Sequence, residues 1–424
     1  FPYTTLFRSA DCGAAGFFCN PATAGSGSGF CVPRSASHCL ACASDGECGH
    51  FSEACVTPPG EGARVWDDTG RRFLDFTSGI AVTALGHSHP RWVAAVQRQA
   101  AELVHVSNLY RNPGQGELAR RLVGYAGPGR VFFCNSGAEA NEAALKLARK
   151  FGGRGRHGVV SAFGSFHGRT LASLAAPGQP AKHEPFQPMP DGFRHVVFND
   201  IAALEAAIDP SVSAVLLETV QGEGGVLPAD VEYLRAVRAL CDERGLLLMI
   251  DEVQTGFART GQWFGFQHAG IVPDVVTMAK GMGNGFPVGA VWAKRSVAGV
   301  FQPGDHGSTY SGTAIATAVV AAVISEMRRL DAPALAEQRG AELSAALSAV
   351  PGIAAVRGRG LLLAAELAPG IDAKAVYTAA LRRGLVTNAV TGTALRLAPP
   401  ITVSSAEIAE AVGILGAALA EVTQ

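Results

Sequence analysis

The chain has 424 residues, of which 48% are hydrophobic and 17% charged, and its formal net charge is −1. This length allows two or three domains around a large buried core, and 51 glycines fit a compact α/β enzyme better than a disordered or fibrous protein. Near-neutral charge without a Lys/Arg block argues against a nucleic-acid partner, and interrupted apolar runs argue against a membrane span, so we expect a cytoplasmic enzyme.

Cysteines are concentrated at the start of the chain, where seven of the nine lie within the first 55 residues. Such density is typical of small disulfide or zinc modules. The CxxC pair formed by Cys39 and Cys42 has no second pair at zinc-finger spacing, so we predict no metal site. The first nine residues resemble translated adapter sequence and lack a signal-peptide profile. We therefore interpret residues 1–56 as a Cys-rich opening that is non-native or disordered.

From residue 60 onward the hydrophobic pattern predicts regular elements. Two short strands are expected around an Asp-Thr-Gly turn within residues 64–76, followed by a helix from His89-Pro90 to about Leu103. Seven apolar runs then predict strands that are covered on both faces. They are Arg130–Asn135, Gly158–Ala162, His195–Phe198, Ala214–Glu218, Leu246–Asp251, Val275–Lys280 and Val288–Ala293.

Helical patterns separate these strands, including Ala138–Phe151 and Val231–Arg244, which predicts an α/β fold with a mostly parallel seven-stranded sheet. After a helix at 313–329 the pattern changes to that of a smaller α+β domain. Its elements are helices 332–349, 373–383 and 405–422 and strands 360–367 and 395–398. The predicted division is residues 57–85 as the N-terminal part of the small domain, 86–325 as the large domain and 326–424 as the C-terminal small domain.

Residues 135–142 mark the point where a buried strand turns into a helix. The Ser136-Gly137 turn leaves backbone N–H groups free at the helix N-terminus, which is a ready anion site. An ordinary capped helix start is the alternative, because Ser is a preferred N-cap residue. Farther on, Phe166 could stack on a planar ring and Arg169 could bind a carboxylate in bidentate fashion, or they could be a core aromatic and a surface cation.

Two charged residues end predicted strands at the edge where ligands gather. Asp251 could hold a pyridine nitrogen protonated, and the alternative is Mg²⁺ binding by Asp251 with Glu252, although no P-loop precedes them. Lys280 ends an apolar strand, where a cation is costly to bury and covalent use of the amine removes the charge. A lysine that reaches solvent is the alternative. The order of the anion site, the acid and the lysine along the chain favours the hypothesis that Lys280 binds a ligand covalently.

With these positions aligned, the chain from about Gly60 to its C-terminus resembles the class III (ω-amino) aminotransferases of fold type I, whose cofactor is pyridoxal 5′-phosphate (PLP). Within that family it most resembles the branch whose donor is N2-acetyl-L-ornithine. The motifs that carry the resemblance are residues 79–87, 105–110, 133–141, 221–225, 251–254, 279–281 and 306–310.

The resemblance implies which residues hold PLP. Lys280 would bind the cofactor covalently and then carry the proton between substrate and cofactor carbons, while Asp251 would pair with the pyridinium nitrogen. The other implied contacts are Gln254 to the ring hydroxyl, Phe166 against the ring, and Ser136, Gly137, Ala138 and Thr309 of the partner subunit around the phosphate. The phosphate site would therefore make a homodimer obligatory.

The resemblance also implies the substrate contacts. Arg169 and Ser308 would bind the substrate carboxylate, and Glu223 and Arg396 would form a switch pair that opens when 2-oxoglutarate needs the arginine. The chain departs from the family pattern at Ala138, where Thr is common, and at residues 312–314, where Gly-Asn-Pro is common.

The implied reaction gives N-acetyl-L-glutamate 5-semialdehyde and L-glutamate, a step of arginine biosynthesis. Other donors that the family uses are ornithine, succinylornithine, 4-aminobutyrate and a carrier-bound aminoadipate semialdehyde. A PLP isomerase or decarboxylase on this fold is the alternative from another reaction class. A non-enzymatic Cys-rich module is disfavoured because the lysine, the acid and the phosphate loop are all present.

Overall fold

A computed structural model describes residues 17–19, 31–33 and 56–424, with side chains from residue 60 onward. The chain divides into two units, residues 1–57 with 67–70 and residues 58–66 with 71–424. In the first unit, strands β1 (Phe17–Cys19) and β2 (Cys31–Pro33) pair in antiparallel fashion. The rest of the predicted Cys-rich opening lies outside the described residues.

The strands of the second unit are β3 (Val56–Glu61, which begins in the first unit), β4 (Arg64–Asp67), β5 (Arg72–Asp75), β6 (Gly129–Cys134), β7 (Gly158–Ala162), β8 (Phe193–Val196), β9 (Val212–Glu218), β10 (Val220–Gln221), β11 (Leu227–Pro228), β12 (Leu247–Asp251), β13 (Val275–Met278), β14 (Gly289–Lys294), β15 (Ile353–Arg359), β16 (Leu362–Leu367), β17 (Leu385–Val386), β18 (Asn388–Ala389) and β19 (Ala394–Leu397).

The α-helices are α1 (Ser78–Ala81), α2 (Pro90–Glu102), α3 (Pro113–Ala126), α4 (Gly137–Gly152), α5 (Leu171–Ala175), α6 (Pro180–His183), α7 (Ile201–Ala207), α8 (Val231–Arg244), α9 (Arg295–Ala298), α10 (Ala314–Arg329), α11 (Ala332–Ser348), α12 (Ala373–Arg382) and α13 (Ser405–Val422). Short 3₁₀ turns occupy Glu184–Phe186, Gly265–Ala269 and Lys280–Met282. Among the described residues, none of these helices combines the length and apolar character that a membrane crossing needs.

The seven predicted strands form one sheet in the order β6-β14-β13-β12-β9-β7-β8. Every neighbouring pair is parallel except those of β14, which runs antiparallel to β13 and β6. Strands β7, β9 and β12 are buried along their whole length, as strands covered on both faces must be. The predicted α/β class with a mostly parallel seven-stranded sheet is confirmed.

Alternate residues of the central strands enter two different cores, because successive side chains point to opposite faces of a sheet. On β12, Leu247 and Met249 pack in a cluster with the Ala-rich helix α4. Leu248 and Ile250 pack in the larger cluster that includes Leu234 of α8. This double layer fixes which side chains at the strand ends face the ligand edge.

Three smaller sheets complete the second unit, in the orders β15-β16-β19-β18, β17-β5-β4-β3 and β10-β11. Strand β17 pairs in parallel with β5, so strands from the start and the end of this unit share one sheet. The predicted helix at 405–422 matches α13, whereas α3 and β15 were not predicted. The domain boundaries at residues 85 and 325 stay predictions.

One predicted strand bound is wrong in a way that affects the site. Strand β13 ends at Met278, two residues before the predicted end at Lys280. Lys280 instead begins a 3₁₀ turn with φ of 47°, in the left-handed region that few non-glycine residues adopt. The apolar run could not reveal this turn, because a change in backbone direction leaves hydrophobicity unaltered. The lysine therefore sits just beyond the sheet edge.

Asp274 links three strands of the large sheet and offers a test of this packing. Its buried carboxylate lies 2.7 Å from Arg238 Nη1 and 2.9 Å from Lys294 Nζ, and accepts the Leu248 N–H at 2.9 Å. Burial raises the pKa of Asp274, but these hydrogen bonds and charges outweigh it and hold that pKa below its ordinary value. The stabilisation is therefore present above the ordinary pKa of 3.8 and lost as pH falls through the lower folded value.

We expect Asp274→Asn to lower the free energy of unfolding at pH 7 by about 2–3 kcal/mol, because it removes the buried acid that Arg238 and Lys294 share. The control is Asp242→Asn, which removes an exposed partner of the same Arg238 and should cost less than about 1 kcal/mol. Urea unfolding followed by circular dichroism measures both. If both variants lost the same free energy of unfolding, the buried Asp274 carboxylate would stabilise the fold no more than the exposed Asp242 does.

Candidate active site

Three polar residues stand side by side at the carboxyl edge of the large sheet. Asp251 on β12 is in register with Glu218 on β9 and with Thr277 on β13. All three side chains are buried. Because the carboxyl ends of parallel strands form the ligand edge of such a sheet, this row marks the site.

The Asp251 carboxylate is held by three donors. Oδ2 accepts a hydrogen bond from Asn141 Nδ2 at 2.8 Å and lies 2.8 Å from His167 Nδ1, which must donate because a carboxylate only accepts. Oδ1 accepts the Val253 N–H at 3.0 Å. Asn141 is itself fixed, since its Oδ1 accepts from Thr277 Oγ1 at 2.8 Å. These three donors fix the orientation of the Asp251 carboxylate.

Glu252 does not join Asp251 in a common ion site. Its carboxylate accepts the N–H groups of Gly265 at 2.9 Å and Phe266 at 2.8 Å, and the hydroxyl of Thr255 at 2.5 Å. Complete burial raises the pKa of Glu252 to about 7 against these donors. The two adjacent carboxylates therefore serve different sets of donors, which disfavours the Mg²⁺ alternative.

Glu218 is a second buried acid close to Asp251. Burial, reinforced by the charge of Asp251, raises the pKa of Glu218 well above its ordinary value. Its Oε2 accepts the Phe166 N–H at 3.1 Å, which ties the loop after β7 to the sheet edge. The raised pKa favours the protonated form of Glu218, because two neighbouring buried carboxyls resist ionising together.

The charges of Asp251 and Glu218 act on the amine of Lys280. Burial, with the nearby charge of Arg396, lowers the pKa of Lys280 to about 8, against the opposing effects of Glu223, Asp251 and Glu218. Within the part of the chain that the structure describes, no hydrogen bond or ion pair engages this amine. A desolvated amine whose pKa is near neutrality is a nucleophile poised for covalent chemistry.

Helix α4 begins at the same edge of the sheet. Ser136 caps it by accepting the Glu139 N–H at 3.2 Å, so the serine hydroxyl serves the helix as the ordinary-cap alternative expects. The N–H groups of Gly137 and Ala138 have no partner among the described residues. A Cβ on Gly137 would lie 2.8 Å from Val253 Cγ1, so only glycine permits this close approach. The free N–H pair at the positive helix end suits a phosphate.

Phe166 and Arg169 lie together on the loop after β7. Phe166 is half-buried, Arg169 is exposed, and the Arg169 guanidinium carbon lies 5.5 Å from the Phe166 ring centroid. The Phe166 backbone N–H donates to Glu218, whereas the Arg169 guanidinium makes no ion pair with any described residue. An unpaired guanidinium beside the site is available for a carboxylate.

Glu223 and Arg396 form an ion pair across the site. Arg396 is buried on β19, and its Nη1 lies 2.6 Å from Glu223 Oε1 while its Nη2 donates to Asn388 Oδ1 at 2.9 Å. Burial raises the pKa of Glu223, but the charge and hydrogen bond of Arg396, followed by Lys280 and Lys182, lower it overall. The pair is therefore ionised at neutral pH.

Gln254 is a buried side chain whose amide oxygen has no hydrogen-bond partner in the structure. It lies so close to Gly222 that any Cβ there would collide with Gln254 Oε1. A buried acceptor left unsatisfied is unusual in a folded protein. The amide oxygen is thus available to a hydroxyl-bearing ligand.

The last two predicted residues lie on a separate loop. Ser308 Oγ accepts from Asn135 Nδ2 at 3.1 Å, next to the start of α4. Thr309 is exposed, and its neighbour Tyr310, 64% exposed, packs at 5.6 Å between ring centroids against His105. No contact joins Thr309 to Lys280 or Asp251 within the described chain.

Sequence reasoning missed four residues of this site, namely Asn141, His167, Glu218 and Lys182. The Lys182 Nζ lies 5.4 Å from the Phe166 ring centroid. Glu218 ends an all-apolar strand just as Asp251 does, so the same signal could have found it. His167 and Asn141 stand within quoted motifs but carry no local mark of their role, since their link to Asp251 spans 84 and 110 residues.

These residues fit a flat aldehyde that carries a phosphate, a ring hydroxyl and a ring nitrogen. The free amine, the oriented acid, the unpartnered N–H pair and the unsatisfied amide oxygen match the groups of PLP one by one. The observation that tests the fit most strictly is Gln254, because its buried oxygen needs a donor that the described protein does not supply.

Comparison with known proteins points in the same direction. The family model for class-III aminotransferases matches residues 49–419. An acetylornithine aminotransferase from Caldanaerobacter subterraneus subsp. tengcongensis is 46% identical over 372 residues, which cover 86% of this chain and 94% of that protein.

Two solved structures are similar over most of the chain. N-acetylornithine aminotransferase from Stenotrophomonas maltophilia is 36% identical with a TM-score of 0.77, covering 88% of this chain and 97% of that one. Ornithine aminotransferase from Toxoplasma gondii is 32% identical with a TM-score of 0.84, covering 89% and 92%, and its active site holds PLP at partial occupancy.

The lowered pKa of Lys280 can be measured directly. In the cofactor-free protein, labelling of Lys280 by a small aldehyde and borohydride should rise with pH to a midpoint near 8, because the neutral amine is the reactive form. Mass spectrometry of the peptide that contains residue 280 gives the profile, and Lys374, an exposed lysine, serves as the internal reference. A Lys280 midpoint near the ordinary 10.5 would contradict the desolvated site.

Proposed function

The chain belongs to the class-III aminotransferases, which are PLP-dependent enzymes, and from that membership we propose that it transfers the terminal amino group of N2-acetyl-L-ornithine to 2-oxoglutarate. The products are N-acetyl-L-glutamate 5-semialdehyde and L-glutamate, a step of arginine biosynthesis. Curated acetylornithine aminotransferases that are 45–49% identical, from bacteria and an archaeon, support this donor. The observation that carries the proposal is the ion pair between Glu223 Oε1 and Arg396 Nη1, which are 2.6 Å apart. The charges of both residues act on the pKa of Lys280.

The pair accounts for two substrates of different charge. The reacting end of the donor bears an amine and no carboxylate, so an arginine neutralised by Glu223 suits it. The acceptor carries a second carboxylate, which the guanidinium of Arg396 can bind once Glu223 moves aside. Because Asn388 also holds Arg396, the arginine keeps its place while the glutamate side chain moves.

PLP, when bound, supplies an aldehyde for amine exchange and a ring that accepts the electron pair released at the substrate carbon. In the proposed arrangement Lys280 would anchor it and Asp251 would pair with the ring nitrogen, with Asn141 and His167 orienting that acid. The Gly137 and Ala138 N–H groups would bind the phosphate beside Ser136, Phe166 would pack on the ring, and Gln254 would accept from the ring hydroxyl.

Lys280 also moves the proton in this proposal. The neutral form of its amine would accept the proton released at the substrate carbon and would later give that proton back. Its pKa of about 8 is close to the working pH, where a group exchanges protons most effectively in both directions. Arg169 binds the far carboxylate of the substrate, with Ser308 contributing a hydroxyl.

We also propose a homodimer in which Thr309 of the partner subunit completes the phosphate site. The loop that bears Thr309 is joined to residues 105–110 through Asn108, whose Nδ2 donates to the carbonyls of Ser308 and Ser311. This joint surface exposes 87% of Leu109 and 70% of Tyr110, which a second copy would cover. The cytoplasmic location inferred from composition stays a prediction.

A donor panel with 2-oxoglutarate tests the proposed reaction. We expect kcat/KM for N2-acetyl-L-ornithine to exceed the values for L-ornithine, succinylornithine and 4-aminobutyrate by at least about tenfold. Glutamate and semialdehyde should appear in equal amounts, and Lys280→Ala should abolish turnover and the cofactor's visible band together. Preference for another donor, or product formation without a keto acid, would refute the assignment.

The two halves of the reaction should respond differently to the ion pair. Arg396→Met should raise KM for 2-oxoglutarate at least about tenfold while changing the donor KM little, because one charge-assisted contact is lost. Glu223→Gln should lower KM for 2-oxoglutarate and raise that for the donor. Arg339→Met, which breaks a surface pair with Glu342, is the matched control. Parallel changes in both KM values would argue against a switch.

A further inference from the structure

Arg357 on β15, which lies outside the sequence motifs, contacts the turn that carries Glu223. Its Nε donates to the Gly225 carbonyl at 2.8 Å, and its Nη1 lies 2.6 Å from Glu366 Oε2. Gly225 has a φ of 109°, and a Cβ there would lie 3.3 Å from Arg357 Nη2, so glycine suits both the backbone and the close approach. The backbone of the turn is therefore held two residues after Glu223.

The register of the small sheet places Arg357 in one row with Arg396. Arg357 of β15 is directly opposite Ala364 of β16, and Ala364 is directly opposite Arg396 of β19. Opposite residues of an antiparallel pair direct their side chains to the same face of the sheet. Because adjacent strands are about 4.8 Å apart, the two arginines stand on one face about 10 Å from each other, with the small Ala364 between them.

The hairpin of β10 and β11 packs on this face of the small sheet. Val220 and Val226 of the hairpin form a buried apolar cluster with Leu362 and Ala364 of β16. Apolar packing is non-directional, so it brings the hairpin onto the sheet without setting the exact position of the turn at 222–225. The directional contacts on either side of the cluster set that position.

The two sides of the turn are held by different contacts. Before Glu223, the Gln221 side chain and the Gly222 N–H both make hydrogen bonds. After Glu223, the bond from Arg357 to Gly225 is the one hydrogen bond found in the part of the chain whose side chains are described. Loss of Arg357 would therefore free one side of the turn and leave the other in place.

We propose that Arg357 is a positioning residue for the Glu223–Arg396 pair. By holding the Gly225 carbonyl, it keeps the turn where the Glu223 carboxylate reaches Arg396, and so it sets how the enzyme divides its affinity between the donor and the dicarboxylic acceptor. This inference rests on the proposed function for the use of that pair. Arg357 acts through the turn and not on the substrate, since its Nε and Nη1 are engaged by Gly225 and Glu366.

Steady-state kinetics of Arg357→Met test this role. Because Glu223 would then meet Arg396 less often, KM for 2-oxoglutarate should fall about threefold and KM for the donor should rise about threefold, with kcat within about twofold. The matched control is Arg359→Met, which removes the same charge from the same strand. The Arg359 side chain forms no hydrogen bond or ion pair with a described residue, so this control should change neither KM.

A double variant separates positioning from a general structural effect. In a Glu223→Gln background, Arg357→Met should change neither KM by more than about 1.5-fold, because the charged acid that it positions is gone. Equal shifts in both backgrounds would show that Arg357 acts independently of Glu223 and would overturn the proposal.

Binding of glutarate to the PLP-loaded enzyme, followed through the visible band, is a measurement that needs no donor. Glutarate should bind Arg357→Met about threefold more tightly than the parent, because Arg396 is more often available, and should bind Arg359→Met as it binds the parent. Unchanged or weaker binding to Arg357→Met would contradict the positioning role.

Glu366→Ala is a second variant for the case that Arg357→Met does not fold, which its melting temperature reports. It keeps Arg357 but removes the acid that orients the guanidinium, so both KM values should shift in the same directions and by less. If Glu223→Gln leaves both KM values unchanged, the switch in the proposed function has failed. If Glu223→Gln shifts them while Arg357→Met and Glu366→Ala do not, only the positioning role is wrong.

Discussion

The structure depends on the orientation of one buried carboxylate at the edge of the large sheet. Asp251 is buried where β12 ends, and its acceptor oxygens are satisfied by donors from α4, the loop after β7 and its own turn. These donors can converge only because the parallel strands end at one edge and α4 packs across them. An acid held in this way keeps one orientation although it is buried.

Desolvation then gives each neighbouring group a different protonation state. Burial lowers the pKa of Lys280 to about 8 and raises that of Glu218, so the amine tends to lose its proton and the second acid to keep its own. The Asp251 charge opposes the first effect and adds to the second. One physical cause thus brings the neutral, nucleophilic form of the amine closer to physiological pH and favours the protonated form of Glu218.

The smaller sheets bring the substrate pair to this edge. Arg396 lies on β19, and the buried Arg259, from the turn after Gln254, donates to the Leu361 carbonyl at 3.1 Å and the Pro399 carbonyl at 2.5 Å. Burial lowers the pKa of Arg259 to about 10, and its partners are carbonyls rather than an acid. These two hydrogen bonds of Arg259 connect the segment after β19 to the turn that follows Gln254. The candidate cofactor contact and the candidate substrate contact are therefore linked through Arg259.

The sequence by itself determined the sheet and its strand-end residues, because continuous apolar runs and glycine-rich breaks are local properties of the chain. It placed Asp251 and Lys280 at one edge, and the family motifs pointed to Glu223 and Arg396, which lie 173 positions apart. Only the tertiary structure decided that His167 and Asn141 hold Asp251, that Lys280 turns beyond its strand, and that Lys182 joins Arg169 over Phe166. Those contacts arise from packing between distant elements, and hydrophobic periodicity carries no record of which elements will meet.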